Sequence, residues 1–311
     1  RKFSLFYPIT PIKMKNVKQP LLPHIIAILV FIILPCLYFP SMFEGKTLQQ
    51  SDIMNYKGMS KEITDYREKT GDEPLWTNSM FSGMPAYLIS MRTPFNIAGK
   101  INKFLTFQSG RPAIHIFLYM LGFYILLLLF GVNPWLGIVG SIAYGFSTYF
   151  FVILEPGHIT KAIALGYMPM IIGSVYYTFR KNILTGSILT SLFVALQLLA
   201  NHLQITYYTL LILLIFGVFE LIEVIKNQDF TRLTKAIASL ILAVILAVSV
   251  NIVSIWTVLD YSEYSLRGET ELTHKGDDHS KGLDKSYITR WSYSIDETLN
   301  LLIPNFKGGS S

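Results

Sequence analysis

Long apolar stretches alternate with short polar connections over most of this chain. A transmembrane helix needs about 20 mainly apolar residues, and seven stretches meet that length. They are approximately residues 23–43, 113–131, 134–154, 162–179, 183–200, 203–225 and 236–258. The pattern predicts an all-α integral membrane protein with about seven transmembrane helices.

The segment between the first two stretches is long and polar. In its first half, apolar or aromatic residues recur at helical spacing, and charged residues lie between them. The recurring residues are Tyr56, Met59, Ile63 and Tyr66. Such spacing predicts an amphipathic helix that lies on the membrane surface. Ser51 or Asp52 is a candidate N-cap of this helix, and Gly71 is a candidate end.

These stretches divide the chain into five parts. They are a tail at 1–22, a first transmembrane helix at 23–43, a first loop at 44–112, six further transmembrane helices within 113–258, and a polar segment at 259–311. The chain begins with arginine instead of methionine and stops in a short polar run. We therefore expect it to be an excerpt of a longer protein.

The composition agrees with a membrane protein. The chain is 51% hydrophobic and 15% charged, whereas soluble domains carry about 25% charged residues. The single cysteine, Cys36, lies in an apolar stretch, so neither a disulfide framework nor a cysteine-based metal site is expected. A net charge of +6 belongs to the loops of a membrane protein, and we expect no nucleic-acid partner.

The basic residues outside the long loops predict how the chain is oriented. With seven spans, three basic segments fall on one side: Arg1, Lys2, Lys13, Lys15, Lys18, Arg180, Lys181, Lys226, Arg232 and Lys235. The positive-inside rule makes that side cytoplasmic and places the N-terminus there. The first loop, the two polar connections near residues 155 and 201, and the final segment then share the opposite side.

The connection "EPGHITK" places three ionisable residues, Glu155, His158 and Lys161, between two apolar stretches. A cation at the start of a helix is poorly placed for the helix dipole, so these side chains are not explained by helix capping. His158 and Lys161 suit an anion and are candidate donors to phosphate oxygens. The alternative is that Glu155 and Lys161 pair with each other at the level of the lipid headgroups.

The connection "ANHLQITYY" opens the sixth stretch with a group of polar residues. Asn201, Gln204 and Tyr208 share one helix face, and His202 and Thr206 share the next. One such residue would be a hydrogen bond between helices, whereas five at one end suggest a hydrated cavity.

A divalent metal ion is a candidate cofactor, although no cofactor is certain. Zinc takes histidine and carboxylate ligands, and Asp52, His158 and His202 are the candidate set. The spacing of these residues matches no established metal motif. Asp52 has two further readings: it caps a helix, or it is a catalytic carboxylate that accepts a proton.

Two more residues are candidates for binding a polar substrate. Trp76 lies among small polar residues in "PLWTNSMFSGMPAY", where an aromatic face suits a sugar ring. The alternative for Trp76 is ordinary packing of the loop onto the membrane helices. Arg267 lies in the final polar segment and is a candidate for binding the same polar substrate.

Several motifs together resemble one family. They are "QQSD", "YREKTGDEPLWTNSMFSGMPAY", "LEPGHITKA", "ANHLQITYY" and "LLIPNFKGG". This set resembles the YfhO-type bacterial membrane proteins of the GT-C glycosyltransferase superfamily. The resemblance implies a long extracytoplasmic first loop with an acidic residue near its start, which Asp52 matches. It also implies a chain longer than this one.

The resemblance implies a function. It is transfer of a sugar from a polyprenyl-phosphate donor to an envelope glycan or a lipid-linked acceptor, outside the bacterial inner membrane. Asp52 would act as general base, and His158 and Lys161 would bind the phosphate. Sugar hydroxyls, the phosphate or a metal would be oriented by Glu155, Asn201, His202 and Gln204. The alternatives are a transporter or flippase of lipid-linked sugars, and a non-catalytic protein of envelope assembly.

Overall fold

The computed structural model describes residues 21–262, 264, 286, 289–290, 292, 294–303 and 306–307. This part of the chain is mostly helical. Its α-helices are α1 (Leu22–Tyr38), α2 (Ser51–Met59), α3 (Lys61–Thr70), α4 (Ile97–Leu105), α5 (Pro112–Leu129), α6 (Pro134–Gly145), α7 (Thr148–Leu154), α8 (Ile159–Arg180), α9 (Ile183–Leu199), α10 (Leu203–Asn227), α11 (Phe230–Val250) and α12 (Ile252–Ser262). Short 3₁₀ helices cover Pro40–Glu44, Ala86–Leu88 and Asp296–Leu301.

The chain is a multi-pass membrane protein. Four helices, α5, α8, α10 and α11, are long and apolar enough to cross a membrane, and α6 with α7 makes a fifth if this bent pair is one span. α1 and α9 are apolar but have 17 residues each, which is about 26 Å of helix. The described helices therefore support four or five spans on length and composition, and the count of seven stays a prediction.

The predicted third stretch is two helices instead of one. α6 and α7 meet at an angle of 49°. The break lies at Phe146 and Ser147, directly after Gly145, where Ser147 has extended backbone. The last stretch is also broken, because α11 ends at Val250 and α12 begins at Ile252.

Helix α8 lies at the centre of the bundle and packs against α5, α9, α10 and α11. Small residues allow the close approach. A Cβ atom on Gly122 of α5 would meet the backbone oxygen of Gly166 of α8, and one on Gly186 of α9 would meet Thr178 of α8. Small residues at such crossings are typical of membrane helices, because dispersion contacts replace the hydrophobic effect there.

Helices α10 and α11 are covered far less. Only 11% of the most apolar part of α10 and 17% of that of α11 are buried, against 67% for α8. Polar side chains still join both helices to the bundle. Gln197 of α9 donates to Thr209 of α10 at 3.0 Å, and Asn251, at the end of α11, donates to the backbone oxygen of Ala195 at 2.9 Å.

Hydrogen bonds between helix ends show which connections share one end of the bundle. Thr160 near the start of α8 lies beside His202 before α10, and Arg180 at the end of α8 bonds Glu220 and Glu223 near the end of α10. α8 and α10 therefore run parallel. The connections at 155–158 and 200–202 meet at one end, as the sequence predicts.

The segment between α1 and α5 contains α2, α3, α4 and a two-stranded antiparallel ribbon. The ribbon pairs β1 (Trp76–Thr77) with β2 (Met84–Pro85), with Trp76 opposite Pro85 and Thr77 opposite Met84. Glu62 of α3 fixes the chain after β1, because its carboxylate accepts hydrogen bonds from Thr77 Oγ1 at 2.5 Å and from the backbone N–H of Ser79 at 2.9 Å. These bonds hold the pKa of Glu62 below its ordinary value.

The predicted amphipathic helix is two helices, α2 and α3, that meet at Ser60. Of its predicted apolar face, Ile63 is buried, whereas Tyr56 and Tyr66 are exposed. Gly71 ends α3 in a left-handed conformation, as predicted.

Asp52 is not the N-cap of this segment. Gln50 is the capping position, and Asp52 lies inside the first turn of α2 with its carboxylate bonded elsewhere. Ser51 is likewise inside the helix. The N-cap reading of both residues is therefore wrong.

Candidate functional site

The start of α2 docks onto the turn between α7 and α8. Gln50 Nε2 donates to the backbone oxygen of Leu154 at 2.5 Å. The backbone N–H of Asp52 donates to the backbone oxygen of Pro156 at 3.0 Å. The last carbonyls of a helix lack partners within the helix, and these donors supply them. Gly157 completes the turn with φ of +96°. The turn thereby holds Asp52 next to His158, the residue that precedes α8.

Asp52 and His158 form a hydrogen-bonded pair at this junction. Asp52 Oδ2 lies 2.7 Å from His158 Nδ1, although the two residues are 106 positions apart in the chain. Both side chains are about half exposed, at 45% and 47%, so a substrate can reach them. A carboxylate on Nδ1 fixes the orientation of the imidazole and leaves Nε2 as a base, as in carboxylate–histidine pairs of hydrolases.

Lys161 lies one turn further along α8. Its ammonium group is 5.4 Å from the centre of the Tyr149 ring, within the range of a cation–π contact. No described residue forms an ion pair with Lys161. Its charge is therefore available to an anion that binds beside His158.

Glu155 does not pair with Lys161. Its carboxylate is exposed and makes no hydrogen bond or ion pair with any residue in the described ranges. The alternative explanation of the "EPGHITK" segment, a pair at the headgroup level, is therefore wrong for this structure.

His202 approaches the same junction from the start of α10. Its Nδ1 lies 3.5 Å from Thr160 Oγ1, at the limit of a hydrogen bond. Its Nε2 is buried and has no hydrogen-bond partner among the described residues, and the same is true of Thr206 Oγ1 one turn later. An unpartnered buried polar atom costs about 1–3 kcal/mol, so a hydroxyl group that reached either atom would be stabilised.

The environment of His202 favours its neutral form. Burial lowers its pKa below the ordinary histidine value, and electrostatic repulsion from Lys161 and from His158 when protonated lowers it further. Neutral imidazole can accept a hydrogen bond from a hydroxyl group. The contact with Thr160, which lies between His158 and Lys161 in the chain, places His202 at this junction.

The other residues of "ANHLQITYY" do not join this group. Asn201 has φ of +52°, a left-handed conformation that asparagine tolerates better than most residues. Its side chain is exposed, and the position is explained by the turn. Gln204 donates to Tyr208 Oη at 2.8 Å, in agreement with their predicted shared face. Both are exposed, and neither contacts Asp52 or His158 through a hydrogen bond.

Of the two remaining candidates, the structure describes Trp76. The Trp76 ring covers Gly83, where a Cβ atom would lie 2.8 Å from the ring, and the φ of +122° at Gly83 also disfavours any side chain. No hydrogen bond or ring contact joins Trp76 to Asp52 or His158 within the described part of the chain. Arg267 lies outside the described residues.

The hypothesised metal set is not assembled. Among the described residues, no three histidine, cysteine, aspartate or glutamate side chains are grouped so that they could hold a metal ion. Asp52 and His158 are paired, but His202 does not complete a group with them.

Two residues of the site were missed by the sequence analysis. Tyr149 is an aromatic residue within an apolar run, and nothing in its spacing distinguishes it. Thr160 lies within "EPGHITK", between the candidates His158 and Lys161. It could have been predicted as a site residue if the whole segment had been expected to face His202.

Comparisons of the chain with protein-family models, with curated proteins and with solved structures give no match. The resemblance to the YfhO-type family therefore stays a prediction. The functional argument rests on the geometry of Asp52, His158, Lys161 and His202, which we call the outer cluster after the extracytoplasmic side that the positive-inside rule predicts for it.

The glycine of the turn gives a test of how the outer cluster is assembled. We expect Gly157→Ala to weaken the docking of α2, because a Cβ atom there would lie 3.0 Å from Gln50 Cβ and 3.1 Å from Ile53 Cγ1. The left-handed backbone adds a cost of about 1–2 kcal/mol. Thermal unfolding of the purified protein in detergent, with hydrogen exchange of the Asp52 amide, measures the effect.

Gly58→Ala is the matched control. Gly58 lies in α2 and a Cβ atom there meets nothing within 4 Å, so this variant should be at least as stable as the wild type. Equal exchange at Asp52 in both variants would contradict the assigned role of the turn.

Proposed function

We propose that this chain is a membrane glycosyltransferase of the GT-C type. It transfers a sugar from a polyprenyl-phosphate donor to a hydroxyl group of an envelope glycan or a lipid-linked acceptor, on the extracytoplasmic side of a bacterial inner membrane. The observation that carries the proposal is the Asp52–His158 pair with the unpaired ammonium group of Lys161 beside it.

The pair supplies the base that such a transfer needs. His158 Nε2 takes the proton of the acceptor hydroxyl as its oxygen forms a bond to the anomeric carbon. Asp52 holds the imidazole through Nδ1 and stabilises the imidazolium that forms. This assignment refines the role predicted for Asp52, because the carboxylate now acts through the histidine it bonds.

Lys161 acts on the leaving group, the lipid phosphate. The bond between the anomeric carbon and the phosphate oxygen breaks, and the electron pair leaves with the lipid phosphate. An ammonium group at that phosphate stabilises the negative charge that develops on it. Single displacement of this kind inverts the configuration of the anomeric carbon.

The apolar surface of the bundle suits a lipid-linked donor. α10 begins directly after His202, and most of its apolar surface is uncovered in this chain. A polyprenyl chain can lie along such a surface while its phosphate reaches the outer cluster. A transport path would place polar groups near the middle of the spans, whereas the outer cluster lies at the ends of α7 and α8.

The proposal is tested with the full-length protein in liposomes and a panel of labelled polyprenyl-phosphate sugars. We expect release of lipid phosphate with at least one donor, and Lys161→Ala should lower kcat/KM about tenfold to a hundredfold, since a hydrogen bond to a charged group contributes about 1.5–3 kcal/mol. Lys57→Ala in α2, which has an exposed side chain, is the control. No release with any donor, together with a wild-type cell phenotype of Lys161→Ala, would leave a non-catalytic role in envelope assembly.

A further inference from the structure

A second charged depression lies at the opposite end of α8 from the outer cluster. It is formed by the turn between α8 and α9 and the turn between α10 and α11, and its volume is about 580 Å³. α8 has 22 residues, so about 33 Å of helix separates the two places. The depression is lined by three cations, Lys181, Arg232 and Lys235, and one carboxylate, Asp229. We call these three cations the inner basic cluster.

The charges of the inner basic cluster are only partly offset by nearby carboxylates, namely Asp229 in the lining and Glu220, which interacts with Arg232. All three side chains are exposed, and none forms an ion pair within the described part of the chain. Asp229 accepts a hydrogen bond from the backbone N–H of Arg232 and thereby caps α11. Arg180 differs from its neighbour Lys181, because it is fully engaged by Glu220 and Glu223.

The helix ends at the depression add little net charge. Asn182 caps α9 and Asp229 caps α11, so two N-terminal ends with partial positive charge lie there. The C-terminal ends of α8 and α10 lie at the same two turns and carry partial negative charge. The three side-chain cations, which face a single lining carboxylate, are therefore what favours a bound anion.

The surroundings select a lipid over a soluble anion. Leu184 lines the depression and is 71% exposed, and Ile188 follows one turn along α9 at 60% exposure. An apolar stripe thus starts inside the basic depression and continues along a membrane helix. Basic pockets at the ends of transmembrane helices bind acidic lipid headgroups in this arrangement.

We propose that the inner basic cluster binds the headgroup of an anionic phospholipid. The phosphate contacts Lys181, Arg232 and Lys235, and an acyl chain lies over Leu184 and Ile188. This site is separate from sugar transfer, and it holds whether or not the outer cluster is catalytic.

The test is native mass spectrometry of the full-length protein with phosphatidylglycerol and phosphatidylcholine. We expect the wild type to retain phosphatidylglycerol over phosphatidylcholine, and the triple variant Lys181→Gln/Arg232→Gln/Lys235→Gln to retain about a hundredfold less, since each basic residue near a membrane surface contributes about fivefold to binding of acidic lipid. The control removes three exposed charges at the other end, as Lys57→Gln/Lys69→Gln/Lys100→Gln. It should retain phosphatidylglycerol like the wild type.

Three outcomes would overturn the proposal. They are equal retention of the two lipids by the wild type, equal loss in the triple variant and the control, and displacement of the bound lipid by millimolar inorganic phosphate. The last outcome would assign the cluster to a soluble phosphate. The readout is lipid retention and does not depend on the transferase assay.

Discussion

Asp52→Asn is expected to reduce sugar transfer by up to about 10⁴-fold, the loss found when the carboxylate of a carboxylate–histidine pair becomes an amide. The amide has the size of the carboxylate and can still hydrogen-bond His158, so the turn that holds α2 is retained. It carries no charge, however, and cannot stabilise the imidazolium that forms when His158 accepts the acceptor's proton. Release of lipid phosphate and formation of the sugar product in proteoliposomes measure the loss.

The control for this result is Asp65→Asn. Asp65 is in the same segment of the chain, in α3, and its carboxylate pairs with Lys61 at 2.9 Å, away from the outer cluster. It should transfer sugar at the wild-type rate. A wild-type rate in Asp52→Asn, with thermal stability unchanged in both variants, would remove Asp52 from the reaction.

Arg180→Ala is expected to destabilise the bundle by about 3 kcal/mol, near the lower end of the 3–5 kcal/mol found when one partner of a buried ion pair is removed. Glu220 is 5% exposed and accepts a hydrogen bond from Arg180 Nε at 2.8 Å. Without the guanidinium group its carboxylate is buried beside Glu223 with no hydrogen-bonded counter-charge, and only the weaker interaction with Arg232 remains. The lower value is expected because Arg180 is 32% exposed. Unfolding of the purified protein in mixed micelles, followed against the mole fraction of denaturing detergent, gives the change in free energy.

Two further variants separate the burial of a charge from the loss of a contact. Lys181→Ala removes a positive charge from the next residue, which has no ion pair, and should cost little stability. Arg180→Ala/Glu220→Gln removes the buried charge as well and should recover part of the loss. A double variant that is no more stable than Arg180→Ala would mean that the packing of Arg180, and not its charge, holds α8 to α10.

The boundaries of the apolar stretches predicted most of the helices of the bundle. α9 was predicted at 183–200 and is Ile183–Leu199, and α10 was predicted at 203–225 and is Leu203–Asn227. These predictions succeed because a membrane helix satisfies its own backbone and is specified by a local run of apolar residues. The run at 236–258 was placed too late, since α11 starts at Phe230 after the Asp229 cap.

The breaks within apolar stretches were not predictable in the same way. Asn251 interrupts the last stretch because its buried amide bonds Ala195 of a neighbouring helix. An asparagine in an apolar run can be a hydrogen bond between helices, a turn or a helix end. Only the position of α9 beside it decides among these.

The sequence by itself determined that the chain spans a membrane, which connections lie together at one end, and that "EPGHITK" and "ANHLQITYY" carry polar groups there. Periodicity and charge settle such questions because they are local properties. The tertiary structure alone decided that His158 bonds Asp52, that Lys161 lies by Tyr149, and that Arg180 is paired with Glu220. Within the described part of the chain, it leaves Glu155 and Lys181 without an ion pair. These contacts depend on how helices that are distant in the chain pack against each other. A shift of one helix turn along a helix axis would exchange the contact partners.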